Sequence, residues 1–179
     1  MHVGLEGPAG ALYAFYRPFC HQYPFRSWFL FGNSVIHPLH EPIPIIEMNR
    51  LSDFVGTPET GYKMALCQRD IAIYGAMTIA GMIYGTARKR LKIPALPLWL
   101  FFGFSLMPMM LDGGVQWISY ALWQFFPGVL AQPFETIPAM RALTGSLFGA
   151  GVIAVGYPYV NEYFDDVLQT LKEKYGWER

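Results

Sequence analysis

Two cysteines, a histidine and two aspartates pose the chemical question in this chain. Cys20 is followed directly by His21 and Gln22, and Cys67 stands just ahead of Arg69 and Asp70. Thiol and imidazole groups are soft or borderline ligands. Cys20, His21 and Cys67, with Asp112 or Asp70 as a fourth, therefore have the residue types that hold zinc or copper. The same two thiols suit a disulfide in an oxidising compartment, and that is the favoured state of the pair. A pair that cycles between the two states would make the chain a membrane thiol oxidoreductase. Two unlinked cysteines are the third reading, because spacing alone does not tell whether two sulfurs meet.

Other polar residues carry weaker signals. Asp112-Gly113-Gly114 ahead of an apolar run has the pattern of a helix N-cap. Read as a functional acid, Asp112 would pair with Arg69 or Arg141 at a membrane edge. Gln22, Arg26, Arg69, Gln116 and Arg141 are the further polar residues near these positions. His37-Pro38-Leu39-His40-Glu41 has ligand types, but in a Pro-rich loop where nothing fixes their convergence. No Ser-His-Asp order, glycine-rich phosphate loop, Cys-x-x-Cys pair or His-x-x-x-His helix pattern occurs.

The elements that must position these groups are apolar. Of 179 residues 53% are hydrophobic and only 15% charged, against about a quarter charged in soluble domains. The formal net charge is zero, which leaves no basic face for nucleic acid. No charge occurs from Ile71 to Ala87 or from Ile93 to Leu111, and Arg88-Lys89-Arg90-Leu91-Lys92 separates the two runs. Each run is close to the ~20 residues that cross a hydrocarbon core of about 30 Å. The basic turn places residues 88–92 on the cytoplasmic side, and Cys67 and Asp112 on the other. A third charge-free run, Ala142–Val160, contains Gly145-x-x-x-Gly149, a pattern that lets helices approach closely. The amino terminus then lies outside and the carboxyl terminus inside. No basic region with an apolar core and a small-residue cleavage site opens the chain, so no signal peptide is expected.

The remaining segments fall around this membrane domain of residues 67–160. Residues 1–31 are aromatic but carry Arg17, Pro18, Pro24 and Arg26, which favours an interfacial or partly embedded segment over a crossing. Residues 32–66 form a Pro-rich extramembrane arm. Val115–Leu130 reads as an outer-surface helix. Residues 161–179 form an amphipathic helix, with Tyr163, Phe164, Val167, Leu168 and Leu171 recurring at helical spacing between acids.

Phe19-Cys20-His21-Gln22, Arg26-Ser27, Cys67-x-Arg69, Pro108-x-x-x-Asp112-Gly113-x-x-Gln116 and Arg141-x-x-Thr144-Gly145 occur in that order. As an ordered set, from about Phe19 to Gly151, they resemble a family of small bacterial predicted membrane proteins of unknown function. The resemblance implies a multi-span protein with these polar residues clustered, and no established activity. The gap from Ser27 to Cys67 and the amphipathic tail are departures from the pattern, and both are surfaces for docking.

The expectation is an all-α integral membrane protein of about three transmembrane helices, with interfacial helices and an amphipathic C-terminal helix. It sits in the bacterial cytoplasmic membrane with its carboxyl terminus cytoplasmic. Its partners are lipid and other membrane subunits, met through residues 32–66 and 161–179. The expected role is a non-catalytic accessory or scaffolding subunit. The alternatives are metal binding by Cys20, His21, Cys67 and Asp112, with zinc or copper, and thiol redox chemistry at Cys20 and Cys67.

Overall fold

A computed structural model describes residues 6–37, 50–126 and 128–176. The described elements are α1 (Glu6–Tyr16), a 3-10 turn (Pro24–Arg26), β1 (Ser27–Leu30), β2 (Gly56–Thr57), β3 (Gly61–Cys67), α2 (Gln68–Ala87), α3 (Leu98–Phe125) and α4 (Pro138–Tyr175). The chain is mostly helical, as expected. It also has a three-stranded sheet that the reading as an all-α protein did not contain. Residues 38–49, which include His40 and Glu41, lie outside the described residues.

Two compact units divide the chain, and the division falls within α2, α3 and α4. The first unit comprises residues 1–71 and 112–142, the second 72–111 and 143–179.

In the first unit the sheet order is β1-β3-β2, antiparallel throughout. Part of the 32–66 segment is therefore a strand pair. Ser27 stands opposite Cys67 and Phe29 opposite Lys63, with an irregularity between Ser27 and Phe29. Along β1, Ser27 and Phe29 point inward, the alternation a pleated strand imposes. Phe29 is 1% exposed and meets the His37 ring edge-on at 4.5 Å. A second apolar cluster stacks Tyr23 on Phe25 at 5.3 Å, and Tyr120 and Trp123 pack against it. Gly61, at φ +82°, turns the chain into β3 in a conformation that side chains resist.

Residues 11–31 hold a short helix, a 3-10 turn and a strand. On the helix Phe15 is exposed, as is Phe19 just beyond it, whereas Tyr13 and Tyr16 are half-buried.

In the second unit α4 packs against both α2 and α3, and small residues set the approach. A Cβ on Gly149 would lie 2.3 Å from the Ile73 carbonyl oxygen, and one on Gly151 would lie 2.2 Å from Ser105 Oγ. Tyr84 and Tyr157 meet edge-on at 5.7 Å, and Phe101 meets Phe148 at 6.1 Å. Pro158 lies inside α4 without ending it. A proline cannot donate to the carbonyl four residues back, which here is Ala154. That carbonyl instead accepts the backbone N–H of Leu96, at 3.0 Å.

Among the described residues two helices, α3 and α4, are long and apolar enough to cross a membrane. α2 has 20 residues, diluted by Gly75, Thr78, Gly81, Gly85 and Thr86. The Thr78 and Thr86 hydroxyls are bonded to helix carbonyls at 2.8 Å. The outer faces of the helices are apolar, with Ile79, Met82, Ile83, Trp99 and Phe104 exposed. Such surface suits lipid rather than water.

One expectation is corrected here. Asp112 does not begin a helix, because α3 runs unbroken through it from Leu98 to Phe125. The segment read as a separate surface helix from Val115 is the end of α3. A wide π-turn at Phe101–Leu106 precedes Pro108, and in it the Met107 N–H bonds to the Phe102 carbonyl. Such turns absorb a residue that cannot complete the ordinary helical bonding.

Candidate functional site

The chemistry-bearing residues of the first unit form two neighbouring sets. The first begins with Gln22, whose backbone is left-handed at φ 54° and whose side chain is 4% exposed. Its amide donates to the carbonyls of Tyr13 and Ala65, at 2.9 and 3.1 Å. Its own carbonyl accepts Lys63 Nζ at 2.6 Å. These bonds pin the segment after α1 to β3, and Cys20, two residues earlier, comes to the end of β3 where Cys67 sits.

Asp70 follows in the first turn of α2. The sulfurs of Cys20 and Cys67 and a carboxylate oxygen of Asp70 all lie within 4.8 Å of one another. Both cysteines are unlinked thiols here; Cys20 is buried and Cys67 half-buried. Cys67 Sγ donates to Asp70 Oδ2 at 3.0 Å and also has Cys20 as a hydrogen-bond partner. One S–H cannot fully serve two acceptors, so the proton is shared between them. Donation from Cys67 draws the Cys20 thiol down to about 7, against the opposing effect of burial. The Cys67 thiol is pushed up, first by that same bond and then by burial.

Lys63 is 2% exposed and bonds the carbonyls of Gln22 and Ser52. Loss of hydration draws its ammonium down to about 8, although the charges of Cys20 and Asp53 oppose the shift.

The second set is a charge network centred on Glu135, in the connection between α3 and α4. Arg26 Nε donates to both carboxylate oxygens at 3.1 Å, and Arg26 Nη2 adds a further short contact. Arg141 Nη2 and the Tyr120 hydroxyl also donate to Glu135. Gln116 Nε2 does so at 3.1 Å, while its oxygen accepts Arg69 Nη2, also at 3.1 Å. Arg69 in turn pairs with Asp112 at 2.5 Å. Arg141 Nη1 reaches the Phe25 carbonyl and Gln68 Oε1, at 3.2 and 3.3 Å. Gln68, fully buried, closes onto the Ser27 carbonyl. Gly113 makes room for Arg69: a Cβ there would stand 3.1 Å from Nη1.

The residues singled out from sequence thus divide. Cys20 and Cys67 meet, and Asp70 completes their cluster. His21 and Asp112 are not in it. The His21 ring stacks on Tyr23 at 5.5 Å, and loss of hydration and the Arg26 charge both draw its pKa down. Arg26, Arg69, Gln116 and Arg141 are linked through Glu135, whereas Gln22 serves the thiol side. Sequence reasoning passed over Glu135, Gln68 and Tyr120. Glu135 sits in a Pro-containing turn that looked like a connection only. The charge count was the available signal, because three arginines faced one aspartate and buried charges need partners.

Fold and site together define a mostly helical membrane protein with a buried charge network and a thiol–carboxylate cluster. The chain belongs to the DUF2085 family of predicted membrane proteins, whose model matches residues 59–155. It is similar to the uncharacterized protein MJ1492 of Methanocaldococcus jannaschii, at 30% identity over 161 residues, covering 90% of this chain and 74% of that one. No solved structure matches it.

Proposed function

We propose that this membrane protein holds a soft or borderline metal ion, zinc or copper, between Cys20, Cys67 and Asp70. The carrying observation is that Cys20, from before β1, and the Cys67–Asp70 turn bring three ligand atoms within 4.8 Å of one another. Around zinc, bonds of about 2.0–2.3 Å put neighbouring ligand atoms roughly 3.5 Å apart, so a small contraction forms the site. Asp70, one of the two aspartates expected as a further ligand, serves in this reading without His21 or Asp112. Three protein ligands leave one tetrahedral position open, which suits exchange of the ion more than a purely structural clamp. The role is non-catalytic. In this reading α2 crosses the cytoplasmic membrane beside α3 and α4, with residues 88–92 cytoplasmic.

The test is metal content of the untagged protein purified in mild detergent. One equivalent is expected, falling well below one in Cys67→Ser and Asp70→Asn and unchanged in His21→Ala. Metal content indifferent to Cys67→Ser would sink the proposal. A peptide joining Cys20 to Cys67 in unreduced protein without metal would instead support the disulfide.

A second reading, an accessory subunit of a larger complex, is favoured by Tyr163, Phe164 and Leu168, exposed on α4 among acids. Charging Phe164 and Leu168 should then release co-purifying subunits without loss of insertion. Unchanged co-purification would remove that reading.

A further inference from the structure

A cavity of about 430 Å3 opens beside the Glu135 network, within the first unit. Its wall includes His21, Tyr23, Arg26, Arg69, Trp117 and Gln124, and no acidic residue among the described residues lines it. We propose that this cavity binds a phosphate group, carried by an anionic amphiphile.

The network holds the arginines without exhausting them. Arg26 is fixed by Glu135 through Nε and Nη2, and its guanidinium lies 4.7 Å from the Tyr120 ring centre. Arg69 is fixed by Asp112 and Gln116 through Nη2 alone. Among the described residues, Nη1 of each has no hydrogen-bond partner. A guanidinium held on one edge presents the other in a fixed plane, which is how arginine recognises oxyanions. Arg26, Arg69 and Arg141 against Glu135 and Asp112 leave one positive charge in excess. The Tyr23 hydroxyl, the His21 ring and the Gln124 amide add neutral donors along the wall. Two arginine edges with three further donors exceed what a carboxylate accepts, and suit the several oxygens of a phosphate.

The rim indicates what carries that phosphate. Trp117 and Phe125 line the cavity and are 74% and 71% exposed, on a helix apolar enough to cross a membrane. A polar floor behind an exposed aromatic rim matches a headgroup inside and acyl chains outside. A soluble phosphate ester shares the headgroup chemistry but would leave the rim unused. The cavity wall contains neither thiol, so the proposal is independent of the metal site.

Full-length protein in detergent is titrated with phosphatidic acid, phosphatidylcholine and glycerol 3-phosphate, with binding read by native mass spectrometry. Preferential retention of phosphatidic acid is expected. Gln124 is exposed and bonds nothing in the network, so Gln124→Glu should weaken binding about tenfold, and Gln124→Lys should preserve or tighten it. Tyr23→Phe, which removes one donor and no network bond, gives a second reading with weakening of several-fold. Glycerol 3-phosphate bound equally well, with the same response to the variants, would keep the phosphate site and assign it to a soluble ester. Phosphatidic acid held no better than phosphatidylcholine with no glycerol 3-phosphate bound, or binding indifferent to all three variants, would overturn the proposal.

Discussion

The half-buried Glu135 and the buried Lys63 show how differently one sequestered charge can act. Glu135 balances two arginines, and with the carboxylate gone Arg26 and Arg141 face each other uncompensated. Glu135→Gln should cost about 3–5 kcal/mol in denaturant unfolding in detergent. Arg17 and Asp53 also pair, at 2.5 Å, but both side chains are more than half exposed. Asp53→Asn should cost no more than about 1 kcal/mol, and an equal effect at both sites would mean that the network carries no special weight. Lys63 has the opposite character, because its folded ammonium titrates at about 8 while the unfolded group stays near 10.4. Below pH 8 both states are protonated and the full cost of burial is present. Between about 8 and 10 the unfolded chain holds the extra proton, so stability rises with pH. Unfolding measured at pH 7 and 9.5 should show a rise that Lys63→Met lacks; parallel slopes would refute it.

At the scale of elements, α4 depends on two small residues and one proline. Ile73 approaches Gly149 backbone to backbone, so no side-chain rotation can relieve an added methyl. Gly149→Ala should cost about 1–3 kcal/mol. Gly156→Ala, with open space around it, should be neutral or stabilising by up to about 1 kcal/mol. Thermal unfolding of the two variants in the same detergent compares them directly. The charge-free runs made the helices legible in the sequence, because their lengths and the basic turn are local signals. Asp112-Gly113-Gly114 misled for the same reason: the triplet has the local chemistry of a helix start. What keeps it inside α3 is not local, since Gly113 lets Arg69 reach Asp112. β3 was hidden by Lys63, a charge on an inward position whose ammonium finds carbonyls only in the folded chain. Cys20 and Cys67 were legible as residues. Asp70 was legible as a candidate too, but its choice over Asp112 depends on β3 passing directly into α2, which spacing does not reveal.

For the whole molecule, the decisive quantity is which side of the bilayer each segment occupies. Lys89→Cys should resist an impermeant thiol reagent in intact cells and react once the membrane is opened. Labelling in intact cells would invert the proposed topology. Helix length adds a constraint, since the 38 residues of α4 extend about 57 Å, nearly twice a hydrocarbon core. A large part of α4 must therefore lie beyond the hydrocarbon or at a steep tilt. The stretch with Glu162, Asp165, Asp166 and Glu173 is the part suited to water.

The bond from Leu96 to Ala154 has a consequence for the order of assembly. On the ribosome the amide of Leu96 emerges long before residue 154 exists, so the early segment from α2 to α3 carries a donor with its eventual acceptor still unmade. Ala154 arrives with the matching vacancy, created by Pro158 in the same helix. Each half is incomplete alone, and the bond closes only when the last helix docks. The Leu96 amide is thus a built-in clock for biogenesis: its exchange with deuterium should slow at the moment α4 joins its neighbours.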